Sequence, residues 1–308
     1  MNKGGRTVNK MTKMVALLAL VGVMTLTFVL RANADEGSKQ LDEARITVEK
    51  SSLTKEAKAG ILAKADHAVT SGLPAEDVAI IITRGLKQGI PSTTIEGFLE
   101  TSRKVKEQHL PSRLVLDRIE QGLAKGVPAE RIAGVTQKLS GHLAAANSIV
   151  ERIENRGVKP AQSGRSDAVE TVARALEKSI PPDAIVRTGE KVRDQKGSMV
   201  LFDRAVDAMT VFVSNGMHAD QASRMVHSAI EKGYSERDLE TMKRYMADEL
   251  RKNRPMNEVV SGMESRMERG NMRDMHEGLE GGMMGGPGPG GMGGGGSGMM
   301  GGSGGMMR

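Results

Sequence analysis

Histidine and methionine side chains in the C-terminal half have the types and spacing that could support chemistry. They form two groups: His218, Met225 and His227, then Met272, Met275 and His276. His218 and Met225 are seven positions apart and would share one face of a helix. Thioether sulfur and imidazole nitrogen bind soft cations such as Cu(I) and Ag(I). The two groups therefore predict a soft-metal site as one hypothesis, although methionine at helical spacing is more often core packing.

The methionines are distributed very unevenly along the chain. After residue 34 none occurs before Met199, and eighteen lie between Met199 and the C-terminus. The last stretch, residues 281–308, contains seven methionines among sixteen glycines and no acidic residue. Ordering so many glycines costs much entropy, and the stretch has little apolar surface to offset that cost. Residues 278–308 are therefore predicted to be a disordered tail.

Catalytic motifs do not point to an enzyme. The sequence has no HExxH, no phosphate-binding loop ending in Lys-Ser or Lys-Thr, and no dinucleotide fingerprint behind a strand. The segment Gly301–Gly305 fits G-x-S-x-G, but a nucleophile elbow requires a strand before it and a helix after it. We therefore expect no catalytic residue, and no cofactor apart from the metal of the alternative hypothesis.

A short pattern that ends one helix and begins the next recurs along the chain. It starts at Gly72, Gly89, His109, Gly126, Ser179, Gly216 and Gly233. Glycine adopts the left-handed conformation that ends a helix without steric cost, and a proline two residues later, as in Pro74, suits the start of the next. Gly72 and Gly89 are 17 residues apart and Gly72 and His109 are 37 apart, which indicates a helical hairpin of about 37 residues. The predicted fold is all-α, either stacked hairpins resembling an α-solenoid or an irregular helical bundle.

Changes in composition divide the chain into segments. The predicted order is a first hairpin half (35–154), a basic loop rich in Gly, Pro and Ser (155–167), a second hairpin half (168–255), a Met-rich amphipathic helix (256–277) and the Gly/Met-rich tail (278–308). Asp167 and Glu170 fit a capping box, which predicts that Asp167 ends the loop and caps the first helix of the second half. In the Met-rich segment, Met256, Val260 and Met263 fall on one helical stripe.

The first 34 residues have the pattern of an export signal. Four basic residues up to Lys13 precede an apolar stretch over residues 14–30, and Ala32-Asn33-Ala34 provides a small-residue cleavage site. We expect cleavage after Ala34 and a periplasmic or secreted mature chain. The alternative is an uncleaved inner-membrane anchor through residues 14–30.

Charge and cysteine content limit the partners and the chemistry. The chain has 44 basic and 38 acidic residues, but five of the basic residues and none of the acidic ones lie in residues 1–34, which leaves a mature net charge of +1. Because aromatic residues make up 2% of the sequence, few side chains could stack on bases, and no nucleic-acid partner is expected. With no cysteine, the fold must be stabilised by packing without disulfides.

The expected function is contact with another protein. Stacked hairpins bind through extended surfaces rather than through a chemical centre. The sequence therefore predicts a non-enzymatic interaction or scaffold module with a protein partner in the cell envelope. Contact with a membrane is expected only through the N-terminal segment, if that segment is retained.

Overall fold

The computed structural model of the protein describes residues 36–159 and 164–269. Within these ranges the regular structure is α-helical, apart from one isolated parallel bridge between Lys159 and Ser198. The all-α prediction is therefore confirmed. The predicted export segment and the tail at 278–308 lie outside the described residues.

Helices of two lengths alternate along most of the chain. The described part of α1 covers residues 36–50, followed by α2 (Lys55–Thr70), α3 (Ala75–Lys87), α4 (Ser92–Glu107), α5 (Ser112–Ala124), α6 (Ala129–Asn155), α7 (Gly164–Glu177), α8 (Pro182–Asp194), α9 (Met199–Ser214), α10 (Ala219–Glu231), α11 (Glu236–Arg251) and α12 (Met256–Glu268). We call the 16-residue helices α2, α4, α9 and α11 long, and the 13-residue helices α3, α5, α8, α10 and α12 short.

The helices form two layers because, within each half, a helix packs on the helix two places before it in the chain. In the first half, α2 packs on α4 and α4 on α6, while the short helix α3 packs on α5. In the second half, α7 packs on α9 and α9 on α11, while α8 packs on α10. This is the stacked-hairpin arrangement that the 37-residue period predicts.

The residues that end the helices show why the period could be read from the sequence. Five of the predicted junction residues are glycines with positive φ: Gly72, Gly89, Gly126, Gly216 and Gly233. His109 (φ 57°) and Ser179 (φ 60°) adopt the same left-handed conformation at the other two predicted junctions. Lys196 (φ 56°) and Asn253 (φ 59°) mark two junctions that the sequence pattern missed, since neither is a glycine and neither is followed by an apolar side chain. Asn253 lies 37 residues after Gly216 and so continues the period.

The regular alternation is interrupted in the middle of the chain. Helix α6 has 27 residues and packs on both α7 and α8, so it joins the two halves. Helix α7 covers Gly164–Glu177 and contains Asp167 in its first turn, so the prediction that Asp167 caps the start of this helix is wrong. The earlier start is anchored by Arg165, which donates hydrogen bonds to Glu154 and to Asn147 of α6.

Ion pairs connect neighbouring helices of the same layer. Three of them join residues 36 positions apart: Lys64 with Glu100 (3.0 Å), Arg113 with Asp77 (2.9 Å) and Lys243 with Asp207. Residues 37 apart occupy equivalent places in successive repeats, so a spacing of 36 joins one repeat to the next. No helix within residues 36–159 and 164–269 is long and apolar enough to cross a membrane.

Candidate functional site

The first predicted metal group is dispersed in the structure. His218 is exposed and precedes α10, whereas Met225 is buried in that helix with 4% of its surface exposed. Their seven-residue separation corresponds to about 10 Å along the axis. In the part of the chain that the structure describes, no three His, Cys, Asp or Glu side chains could hold a metal together. The second group, Met272, Met275 and His276, lies outside the described residues.

His227 is bound to the neighbouring short helix. Its Nε2 lies 2.9 Å from Oγ1 of Thr188 in α8, and the Thr188 hydroxyl lies 2.9 Å from the carbonyl oxygen of Ala184, to which it donates. Burial and, secondarily, the charge of Arg187 lower the pKa of His227. The imidazole is therefore a neutral, hydrogen-bonded contact between α8 and α10, and its Nε2 is already engaged.

Two methionine residues line one cavity at the end of the described stack. Met225 of α10 and Met267 of α12 line one cavity of about 300 Å³. Both side chains are almost fully buried, with 4% exposure each. Among the predicted ligands that the structure describes, Met225 thus lines a cavity with a second methionine, which spacing within a single helix could not show.

Four charged side chains cluster between the short helices α3 and α5. Arg113 donates from Nη1 to both oxygens of Asp77, at 3.0 and 2.9 Å, and its Nε lies 2.8 Å from Asp117. Glu120 lies beside them, and its buried Oε1 has no hydrogen-bond partner among the described residues. Burial and the nearby Asp77 raise the pKa of Glu120 to about 7. The negative charge of Asp77 therefore opposes ionisation of Glu120.

Replacing Glu120 with Gln is expected to stabilise the protein at alkaline pH. Because the folded-state pKa lies near 7 and the usual value is 4.5, the wild type loses stability as pH rises from about 4.5 through about 7, and then levels off. The difference in Tm between E120Q and wild type should therefore be small near pH 4.5 and positive at pH 8. The exposed Glu151 provides the control, since E151Q should show no such trend. A pH-independent difference for E120Q would contradict the raised pKa.

An open groove lies between α5 and the first half of α6. The cavity is about 190 Å³, with a floor formed by Gly122, Val127, Ile132 and Val135. A Cβ on Gly122 would lie 2.7 Å from Cγ1 of Ile132, so the two helices are in close contact at that point. Val135 is 36% exposed and is one of two large apolar side chains exposed in the described ranges, the other being Ile46. We call this cavity the α5–α6 groove.

Three cations border the α5–α6 groove: Arg118, Lys125 and Arg131. Arg118 lies 3.6 Å from Glu177 of α7, whereas no described carboxylate pairs with Lys125 or Arg131. The groove therefore combines an apolar floor with a positively charged edge. That combination suits an acidic amphipathic segment better than a small neutral ligand.

The groove was not predicted from the sequence, although the sequence contains a signal for it. Arg118 lies 37 residues after Ile81, and Val135 lies 37 residues after Phe98. A charged residue at a repeat position that is elsewhere uncharged, as Ile81, Thr188 and Met225 are, indicates that the surface is not covered. No protein-family model, curated protein or solved structure matches this chain, so its function has to be inferred from these residues.

Proposed function

We propose that this chain is an exported, non-enzymatic helical-repeat protein that binds another protein of the cell envelope as an interaction or scaffold module. One observation carries the proposal: short and long helices stack in two layers in both halves of the described chain. Such stacks expose long, continuous surfaces, and other proteins of this architecture bind through those surfaces.

The proposed compartment rests on the sequence. Residues 1–34 have the order of a signal peptide, with basic residues, an apolar stretch and a small-residue cleavage site. Because the chain has no cysteine, an oxidising compartment would neither form nor break disulfides in it. Cell fractionation combined with N-terminal sequencing tests this step, and we expect the mature chain to begin at Asp35.

Site-specific photocrosslinking in the native cells tests the interaction. A photoreactive amino acid would replace one exposed residue at a time, including Val135 in the first half and Glu258 at the end of the stack. We expect one discrete crosslinked protein that depends on the position of the probe and persists when residues 278–308 are deleted. Crosslinking that is absent at every position, or equal at all positions, would contradict a specific partner.

Binding of Cu(I) or Ag(I) is the second candidate function, and the shared cavity of Met225 and Met267 favours it. Titration calorimetry with Ag(I) should then show saturable binding that falls at least tenfold in M225L/M267L. The control is M199L, because Met199 is buried in α9 outside that cavity. Deleting residues 270–308 removes Met272, Met275 and His276, so any binding that remains would belong to the cavity and not to the second predicted group. Binding that M225L/M267L leaves unchanged would rule the cavity out as the site.

A further inference from the structure

Each short helix from α3 to α10 forms a surface with the helix after it, and this surface is covered in three hairpins of the described ranges and open in one. In the first hairpin, Ile81 of α3 (0% exposed) and Phe98 of α4 (1% exposed) are buried, and α5 packs on both helices. In the next hairpin the same repeat positions are Arg118 of α5 and Val135 of α6. Those two side chains are 47% and 36% exposed.

The second half follows the covered pattern. Thr188 of α8 and Ala205 of α9 are fully buried, and α10 packs on both helices. Met225 of α10 and Met242 of α11 are also buried, next to α12. Of the four such hairpins in the described ranges, three are covered by the next short helix, and the hairpin of α5 and α6 is open.

The open hairpin lies where the repeat is interrupted. Helix α6 continues for 27 residues, and the next short helix, α8, packs on α6, α9 and α10. The place beside α5 that a short helix would occupy is approached by Glu177 of α7, through its 3.6 Å contact with Arg118. The groove is therefore the surface on which the next short helix packs in the other hairpins, and here no short helix packs on it.

The covered hairpins show how a helix is held in this place. The amide Nε2 of Gln88, just after α3, donates to the carbonyl oxygen of Leu123 near the C-terminal end of α5. Lys232, just after α10, donates from Nζ to the carbonyl oxygen of Met267 in α12 at 3.1 Å. Lys125, 37 residues after Gln88, stands in the same position after α5. A cation there suits the free carbonyls at the C-terminal end of a docked helix.

The charge of a docked helix can be read from α12. The cavity between α10 and α12 is lined by Glu264 and Glu268 of α12. Arg224 of α10 and Lys232, which directly follows α10, line the same cavity. The α5–α6 groove presents Arg118, Lys125 and Arg131 with no acidic residue among the side chains that line it. A helix with acidic side chains on the same face as its apolar stripe would therefore complement the groove.

We propose that the α5–α6 groove binds an acidic amphipathic helix of a partner protein, in the place that a short helix occupies on the other hairpins. The C-terminal end of the bound helix lies at Lys125, its apolar stripe contacts Val135 and Ile132, and its carboxylates face Arg118 and Arg131. This inference rests on the proposed protein-binding function and specifies the surface and the chemistry of the partner.

A synthetic copy of α12 is the probe for the groove. The peptide has the sequence of residues 255–269, carries fluorescein, and is kept helical by a hydrocarbon staple between Asn257 and Ser261, which are exposed in α12. Fluorescence anisotropy with the mature chain should show saturable binding. R118E/K125E should weaken this binding at least tenfold, and the peptide variant E264K/E268K should restore it on that variant. The control K50E/K55E changes the charge equally at exposed lysines outside the groove and should leave the affinity unchanged.

Each alternative occupant has its own readout. Circular dichroism first establishes that R118E/K125E is folded, and V135D provides a second variant that alters the apolar floor. Absence of peptide binding, or binding that both groove variants leave unchanged, would overturn the inference. Concentration-dependent dimerisation that V135D abolishes would assign the groove to a second copy of the chain. Binding of phosphatidylglycerol vesicles that R118E/K125E abolishes would assign the groove to a lipid surface. Either result would contradict the proposal that the groove binds a partner helix. If crosslinking in cells finds a specific partner that the groove variants still capture, the protein-binding function stands and the groove assignment fails.

Discussion

Replacing Phe98 with Ala is expected to lower the free energy of unfolding by about 3–5 kcal/mol, whereas V135A should change it by less than about 0.5 kcal/mol. The two residues occupy the same repeat position, 37 residues apart. Phe98 is 1% exposed in a hairpin on which α5 packs, so its removal leaves a cavity that the surrounding helices cannot fully close. Val135 is 36% exposed at the open groove, so losing its two methyl groups removes little buried surface.

Urea denaturation followed by circular dichroism measures this difference. F98L is the matched control, because it keeps much of the apolar volume and should cost less than F98A. The comparison tests the central difference between the hairpins, which is whether the next short helix covers them. A loss of several kcal/mol for V135A would mean that the α5–α6 groove is covered in solution, and it would remove the basis for helix docking there.

Two Gly→Ala substitutions are expected to have opposite signs. G189A should destabilise the protein by about 1–3 kcal/mol because it overpacks a tight helix contact. A Cβ on Gly189 of α8 would lie 2.7 Å from Cγ1 of Ile153 in α6, and Ile153 is itself 1% exposed. G134A should stabilise by about 0.5–1 kcal/mol, since Gly134 lies inside α6 with no atom within 4 Å of an added Cβ.

A double-mutant cycle with Ile153 identifies the cause. I153A removes the side-chain atoms that an added Cβ on Gly189 would meet, so G189A should cost less in that background than in the wild type. Thermal and urea unfolding of the four proteins provide the measurement. An equal cost in both backgrounds would show that α6 and α8 do not approach as closely as Gly189 and Ile153 indicate. That contact matters for function because α6 joins the two halves beside the groove.

The sequence by itself predicts where most of the helices of this protein begin and end. Gly72 and Gly216 end helices with positive φ, and Pro74 caps the helix that follows the first of them. These preferences depend on a few neighbouring residues, so the all-α fold and the 37-residue period could be read without a structure. Lys196 and Asn253 also adopt the left-handed conformation but were not predicted, because neither is a glycine and neither is followed by an apolar side chain, as His109 and Ser179 are.

Tertiary structure decided which helix surfaces are covered by another helix. Phe98 and Val135 have equivalent positions in the repeat, yet one is buried and the other is exposed, because α5 packs on α3 and α4 while no short helix follows in the equivalent place after α6. In the same way, the environment of His227 depends on Thr188, 39 residues away in α8. Burial, pKa and access depend on which helix packs there from a distant part of the chain. The charge of Arg118 at the repeat position of Ile81 signals an open surface, but the pattern within one helix does not identify the helix that covers it.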